Sequence, residues 1–476
     1  MKVDLSSETD MNFKPTLNDV HRVLDQEIVG EYRARMSLFT NFVLADKFVL
    51  MSGPRSSGKT YISDHIRDYF LGDLEKGNGT AFSVTMGSKK AGWYQVDKIN
   101  RASHVFIFEL NQMPEDFIEV LKQWGEGKDA SYKVTVQQGG IRTVQNYKLK
   151  KKPTVFCLAD EQETKIGEQL LSRLTVIRTD SSISQNKRVM GYQAEEVRVR
   201  ENPRKVDKEL LNKLRAHVAT MPPYRELIFK HPASDIFVKA IPPFFTDSRR
   251  DFPKYLENTF GITRFYWKER ITAPVGKTKR MIFVTPSDMF LNHVVYGQTL
   301  VESALKCSPV QRDMIEIIKA LDQPADRQTV QRNLRKIGYN ISGYMCSRQL
   351  NELADIGYLE REKKSGVNYY TVGDLFNEFE FTVDWQEVIR TAKINIRKEF
   401  PEVADKYIAM YCTNPTVIHP FSGNVIKLNE LKEQTLKLTK PKSDLASFIK
   451  EDKEKQIIKK IKEVEEEMEV VEEKIE

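Results

Sequence analysis

Lys59 and Thr60 close the run Gly53-Pro54-Arg55-Ser56-Ser57-Gly58-Lys59-Thr60, which fits G-x-x-x-x-G-K-[ST] without a mismatch. This spacing serves phosphate binding. Gly53 and Gly58 permit backbone conformations that turn successive N–H groups inward, Pro54, Ser56 and Ser57 complete the cradle, and the dipole of a following helix adds to its field. Lys59 is placed to reach the β- and γ-phosphates, and the Thr60 hydroxyl to ligate Mg²⁺, so ATP and Mg²⁺ are the expected cofactors. Three further polar side chains follow in chain order. Glu109 ends the apolar run His104–Phe108, where an acid beside a phosphate loop holds Mg²⁺ and polarises the attacking water. The residue before it, where a second, metal-binding aspartate is usual, is Phe108. Asp160 ends the run Thr154–Ala159 and is placed to orient the lytic water. Arg173, in Leu170-Leu171-Ser172-Arg173-Leu174, has the character of an arginine that enters a neighbouring subunit's site, a contribution of about 10³–10⁵ in rate.

Such side chains need a sheet and helices to carry them. Phe48–Met51 reads as a buried strand leading into the loop, and Tyr61 to Phe70 as the helix leaving it. From Leu17 to about Asp180, strand-like apolar runs alternate with helical stretches, the pattern of an α/β domain with a largely parallel sheet. Residues 131–136 and 141–149 alternate apolar and polar side chains around Gln138-Gly139-Gly140, which predicts a hairpin. Its cations Lys133, Arg142 and Lys148 are candidates for DNA-backbone contact, with Lys150, Lys151 and Lys152 at its base. Residues from about 190 to 300 read as mainly helical. Residues 308–372 read as three helices and a hairpin, and 385–440 resist assignment. At the end of the chain Ile457, Ile461, Val464, Met468, Val471 and Ile475 repeat at 4-3-4-3-4 among Lys and Glu, the seam of a short coiled coil or one face of a single amphipathic helix.

Phosphate loop, strand ending in Glu, polar strand terminus and late Ser-Arg, in that order, resemble the AAA+ ATPases. Upstream, Asp25-Gln26-Glu27-Ile28-Val29-Gly30-Glu31 is similar to the segment that packs near the adenine in that family. The resemblance implies a helical lid with a γ-phosphate-sensing arginine, a role for which Arg250, with Arg249 beside it, is the candidate. The hairpin between the Glu-bearing and polar strands is similar to the pre-sensor-1 hairpin of minichromosome maintenance (MCM) helicases, and Leu170–Arg173 to their arginine-finger segment. The MCM-type N-terminal domain has no counterpart in the residues before the ATPase core. Leu353-Ala354-Asp355-Ile356-Gly357-Tyr358-Leu359, with Asn368–Val372 after a charged turn, resembles a winged helix, in which Arg348 on the third helix and Lys363 and Lys364 on the wing would touch DNA.

The expected fold is therefore α/β: a loose segment 1–14, an AAA+ core 15–190 with parallel sheet and inserted hairpin 131–149, a helical lid 191–304, a winged helix 305–384, an unassigned connector 385–440 and a charged helix 441–476. The resemblance implies a homo-oligomer, as a hexamer, that couples ATP hydrolysis to movement on or opening of DNA, as a helicase or replication initiator. A DNA-binding AAA+ transcription regulator or protein remodeller is the alternative. A net charge of +7 over 476 residues permits a nucleic-acid partner without requiring one. Four cysteines (157, 307, 346, 412) without a C-x-x-C pair argue against structural zinc and a disulfide scaffold, and suit a reducing cytoplasm. No apolar run reaches membrane-spanning length, so no membrane partner is expected. The terminal helix is the candidate site for a protein partner.

Overall fold

The computed structural model describes residues 13–437 apart from 85–94, 114, 127, 129, 139–140, 150–152, 161–167, 181–182, 200–205, 241–247, 305–306, 308, 338, 374–379 and 432–433. The hairpin turn at 139–140 and the C-terminal helix read at 441–476 lie outside the described residues. Two compact units account for the chain: residues 1–305 together with 381–436, and residues 306–380 with 437–476.

The first unit opens with α1 (Leu17–Asp25), held at its start by a reciprocal capping box between Thr16 and Asp19. α2 (Tyr32–Leu38) runs on as π-helical turns to Leu44 and is buried from Ala34 onward. β1 (Val49–Gly53) follows and is buried along its whole length. α3 (Lys59–Ile66) leaves the phosphate loop. β2 (Ala81–Val84), α4 (Val96–Arg101), β3 (His104–Ile107) and α5 (Glu115–Gly125) come next. The hairpin strands are β4 (Ala130–Gln138) and β5 (Ile141–Leu149), followed by β6 (Thr154–Asp160), the short α6 (Glu168–Leu171) and β7 (Thr175–Arg178).

Five of these strands form one parallel sheet in the order β2-β3-β6-β1-β7. β1 is interior, which explains why Val49-Leu50-Met51 is a continuous apolar run rather than an alternating one. The core beside the sheet gathers Phe117, Trp124, Ile107, Val155 and Leu170, all fully buried.

The segment after β7 is less helical than its sequence reads. α7 (Ile183–Val199) crosses the boundary expected near 190, and α8 (Lys208–Thr220) follows, capped by Asp207. A three-stranded sheet then interrupts the helices: β8 (Leu227–Lys230), β9 (Thr272–Val275) and β10 (Lys279–Phe283), ordered β8-β10-β9. The segment read as mainly helical thus also carries a small sheet. These strands hold four or five residues each, too few for a period to show, and β9 carries Pro274, which only its edge position tolerates. Around this sheet lie α9 (Ser234–Ala240), α10 (Ser248–Phe265), α11 (Pro286–Asn292) and α12 (Gln298–Ala304).

In the second unit α13 (Pro309–Leu321), β11 (Ala325–Asp326), α14 (Arg327–Lys336), α15 (Gly343–Ile356), β12 (Leu359–Lys364) and β13 (Val367–Val372) follow one another, with strand order β11-β13-β12. Ser342 caps α15, and Gly357 ends it at φ +91° in the left-handed region. Ser365 and Gly366, at φ +48° and +80°, make the tight turn between β12 and β13.

Residues 381–436, unassignable from sequence, return to the first unit. They bring β14 (Glu380–Val383), α16 (Trp385–Glu399), α17 (Pro401–Tyr411), the pair β15 (Thr416–Ile418) and β16 (Val425–Lys427), and β17 (Gln434–Lys437), which pairs with β14. Trp385 and Phe381 close around the fully buried His293, with ring centroids at 5.6 and 4.8 Å. Neither nitrogen of that ring has a partner among the described residues, and burial pushes its pKa down to about 3. The fold therefore holds a neutral imidazole that the unfolded chain protonates near pH 6.5. The unfolded state binds the extra proton between those values, so stability is full above pH 6.5 and is lost as pH falls toward 3. At pH 5 the cost is about 2 kcal/mol. Denaturant titrations at pH 7 and pH 5 should show that loss in the parent and a correspondingly smaller one in His293→Leu. Equal pH slopes would remove the assignment.

Candidate functional site

The phosphate loop leaves the carboxyl end of β1. Ser56 (φ +62°) and Gly58 (φ +80°) take left-handed conformations, and Gly58 sits directly before α3. A side chain at Gly53 is excluded for a different reason: its Cβ would lie 2.1 Å from Thr179 Oγ1. Thr179 in turn donates to Ser57 Oγ at 2.8 Å. The loop is thereby tied to the residue that follows β7, a contact 122 residues distant in sequence that no local signal marks. Lys59 donates to the carbonyls of Gly53 (2.7 Å) and Pro54 (2.6 Å), which places its ammonium inside the curve of the loop. Thr60 is exposed in the first turn of α3. Helix start, inward ammonium and exposed hydroxyl together are what a triphosphate needs.

Glu109 is exposed, just past the end of β3. Strand register sets its level. Ile107 pairs with Cys157 and Cys157 with Leu50, so two residues further on Glu109 comes level with Ala159 and Ser52 at the sheet edge that carries the loop. Phe108 is half-buried and stacks on Phe106 at 6.1 Å, serving the core where a second acid was looked for. Asp160 is the last residue of β6 and pairs with Gly53; its side chain lies outside the described residues. Among the described residues no three His, Cys, Asp or Glu gather to hold a metal.

Arg173 and Arg250 occupy the other end of the sheet. Arg173 follows α6, donates to Gln169 O at 2.7 Å and pairs with the Glu126 carboxylate, its methylenes lying over Gly125. Hydrogen bonds from Lys128 and Arg173 hold the Glu126 carboxyl below its usual range. Thr175, two residues on from Arg173, pairs with Val49 at the start of β1, whereas the loop begins at its end. Four residues of strand, about 13 Å, separate those levels. Arg250, expected at the γ-phosphate, instead donates to the Ser172 hydroxyl. That hydrogen bond joins Arg250 to Arg173's segment.

Glu31 is a residue of the site that sequence reasoning passed over. Burial raises its carboxyl to about 8, against the pull of the Asp180 amide, which donates to both its oxygens at 2.9 and 3.1 Å. It joins the segment before α2 to the residue following Thr179. The signal available was its position at the end of the Asp25–Glu31 run.

Candidate nucleic-acid residues fall in two places. In the hairpin, cross-strand pairs Ser131–Lys148, Lys133–Asn146, Thr135–Val144 and Gln137–Arg142 alternate with pairs such as Tyr132–Tyr147. Alternation assigns Lys133, Arg142 and Lys148 to one face of the ribbon; their side chains lie outside what is described. In the second unit Arg348 is paired with Glu352 at 2.9 Å, and Lys364 with Glu362 at 2.9 Å, while Lys363 is exposed on β12. The denser cation array, which sequence reading missed, is on α14. Arg332, Arg335 and Lys336 are exposed there beside half-buried Arg327, and no acid occurs between Arg327 and Lys336.

No helix among the described residues is long and apolar enough to cross a membrane. No family model and no curated protein matches the chain. Solved structures similar to it include a candidate ATPase from Cytophaga hutchinsonii (11% identity, 59% of this chain and 85% of that one, TM-score 0.34). Others are the Orc1 protein of Aeropyrum pernix in complex with DNA (11%, 81% and 98%, TM-score 0.23) and NtrX from Brucella abortus in complex with ADP (11%, 69% and 69%, TM-score 0.25). Scores below 0.5 carry no conclusion about this chain.

Proposed function

We propose that this chain is an AAA+ ATPase that acts on DNA as a multimer, in the manner of a replication initiator or replicative-type helicase. One observation carries the reading: a phosphate loop leaves β1 in a sheet ordered β2-β3-β6-β1-β7, and a hairpin with Lys133, Arg142 and Lys148 on one face is spliced between β3 and β6. Lys59 and Thr60 hold the β- and γ-phosphates, with Mg²⁺ supplying charge neutralisation when bound. Glu109 accepts a proton from the attacking water, and Asp160 orients that water. Arg173 serves a neighbouring subunit. Cations on the hairpin ribbon meet the DNA backbone without reading sequence, as a motor or a strand-opening device requires.

Two features favour slow, switch-like hydrolysis: Phe108 stands where a second acid would, and Arg173 is held by Glu126 and must exchange that partner before it meets a phosphate. The test is ATPase rate with and without single-stranded DNA. Stimulation by DNA that is lost in Lys133→Glu/Arg142→Glu/Lys148→Glu supports the reading. Absence of stimulation, with no strand separation on a forked substrate, sinks it.

The second unit is read as a winged helix from its order of helix, strand, two helices and two strands. Its cation distribution favours α14 over the wing as the phosphate-contacting element. Arg332→Glu/Arg335→Glu is expected to weaken duplex binding about equally across sequences and to lower the slope of log affinity against log salt by about 2. Lys363→Glu/Lys364→Glu should do less. Fluorescence anisotropy over a salt series decides between the two.

A further inference from the structure

α14 turns Val330 and Leu334 inward, and its outer residues Arg327, Gln328, Gln331, Arg332, Arg335 and Lys336 line an open hollow of about 610 Å³. The ten residues of the helix hold four cations and no acid, a net +4. Arg332 stands three residues from Arg335 and four from Lys336, like-charge spacings that destabilise a helix and that an anionic cover relieves. Beside it, the first turn of α15 exposes two large apolar side chains. Tyr344 is 76% exposed and Met345 39%, while Cys346, Leu350 and Leu353 already supply the buried face of that helix. The two features adjoin. The Arg327 guanidinium lies where a Cβ on Gly343 would be, one residue from Tyr344, and Gln331 Nε2 donates to Ile341 O at 2.8 Å. A cationic face with an apolar edge fits a partner that is acidic and apolar together.

One segment of this chain has that composition. Residues 463–476, which lie outside the described residues, hold eight glutamates and one lysine, a net −7. Val464, Met468, Val471 and Ile475 recur among them at spacings of 4, 3 and 4, the helical spacing of a single apolar stripe. Between Lys437 and Glu463 lie 25 residues, which span about 80 Å when extended, so reach does not limit the contact.

We propose that residues 463–476 dock on the face made by α14 and the first turn of α15, the glutamates against Arg332, Arg335 and Lys336 and the apolar stripe against Tyr344 and Met345, and that they thereby compete with DNA for those cations. The competition, though not the docking, rests on the DNA reading above. Tethering sets its strength. A linker of this kind gives the segment an effective concentration of about a millimolar, so a contact too weak to hold a free peptide firmly still occupies the face.

Five substitutions in the full chain, Glu465→Gln, Glu466→Gln, Glu467→Gln, Glu469→Gln and Glu472→Gln, remove charge and leave the stripe. Anisotropy with a labelled duplex at low salt is expected to show affinity rising about tenfold. The gain should shrink as salt is raised and be absent when Arg332→Glu/Arg335→Glu is added. A labelled peptide of residues 461–476 gives a readout free of DNA: it should bind the neutralised chain, bind less well with Tyr344→Ala, and not bind with Arg332→Glu/Arg335→Glu. Peptide binding of that pattern, without DNA binding by any of these proteins, supports the docking and removes the DNA reading instead. Unchanged DNA affinity on neutralisation overturns the proposal. So does a gain that survives Arg332→Glu/Arg335→Glu, since the segment then repels DNA from elsewhere, and so does a peptide that binds neither chain or both alike. If sedimentation shows the five substitutions dissolving a multimer while peptide binding ignores Arg332 and Arg335, the segment pairs copies of the chain and the proposal falls. Thermal melting checks the fold, and Arg332→Gln/Arg335→Gln replaces the charge reversal if that variant does not fold.

Discussion

Lys59→Ala is expected to lower ATP turnover about 10²–10³-fold while leaving the melting transition of the ligand-free chain nearly unmoved. The rate effect follows from what the ammonium faces. It lies at the first position of α3, inside the loop, bonded to the Gly53 and Pro54 carbonyls. Removing a preorganised electrostatic contact to developing charge costs about 10²–10³ in kcat. The small stability effect follows from its surroundings. Lys59 is only half-buried, and a substitution outside the core seldom moves stability by more than about 0.5 kcal/mol. Phosphate release at saturating ATP, with melting by circular dichroism, measures both. A rate within threefold of the parent would remove the loop from the chemistry. DNA binding by residues 306–380 should be the same in both proteins.

What could be read from sequence and what could not divide by distance along the chain. The phosphate loop was legible because its requirements are local: Gly58 needs a positive φ, and Lys59 and Thr60 need only the helix that begins with them. The hairpin was legible because period-2 alternation survives over nine-residue strands, and Gly357 because a left-handed cap leaves its mark in one residue. The four-residue strands β8 and β9 hid inside helical text since nothing that short shows a period. The partners of Arg173 and Arg250 were hidden for another reason. Glu126 lies 47 residues from Arg173 and Ser172 lies 78 from Arg250, and charge pairing at that range is set by packing alone. The same holds for Thr179 behind Gly53, and for Phe421, about 390 residues from the Tyr32 ring it meets. The order of the candidate residues along the chain was thus legible, while the direction in which each arginine faces was beyond reach.

That direction decides how Arg173 acts. Arg173→Ala is expected to reduce kcat about 10³-fold or more, the range for an arginine that neutralises transition-state charge. The effect should be carried entirely between subunits. Thr175 is level with Val49, and the loop begins at Gly53, about 13 Å up the same strand, so Arg173 has no route to the phosphates of its own chain. Two inactive proteins, Arg173→Ala and Lys59→Ala, should accordingly recover part of the activity on mixing, because one supplies an intact loop and the other an intact arginine. The Glu126 contact adds a second arm. Glu126→Gln weakens the grip on Arg173 and should raise the basal rate of the otherwise unaltered protein, whereas in an Arg173→Ala background it should do nothing. Arg173→Ala also exposes the end of α5 over which its methylenes lie, so melting must accompany the kinetics, and Arg173→Lys, which keeps those methylenes and the charge but loses the planar fork, should restore stability more than rate. Full activity of Arg173→Ala, or no recovery on mixing two folded proteins, would sink the assignment in trans.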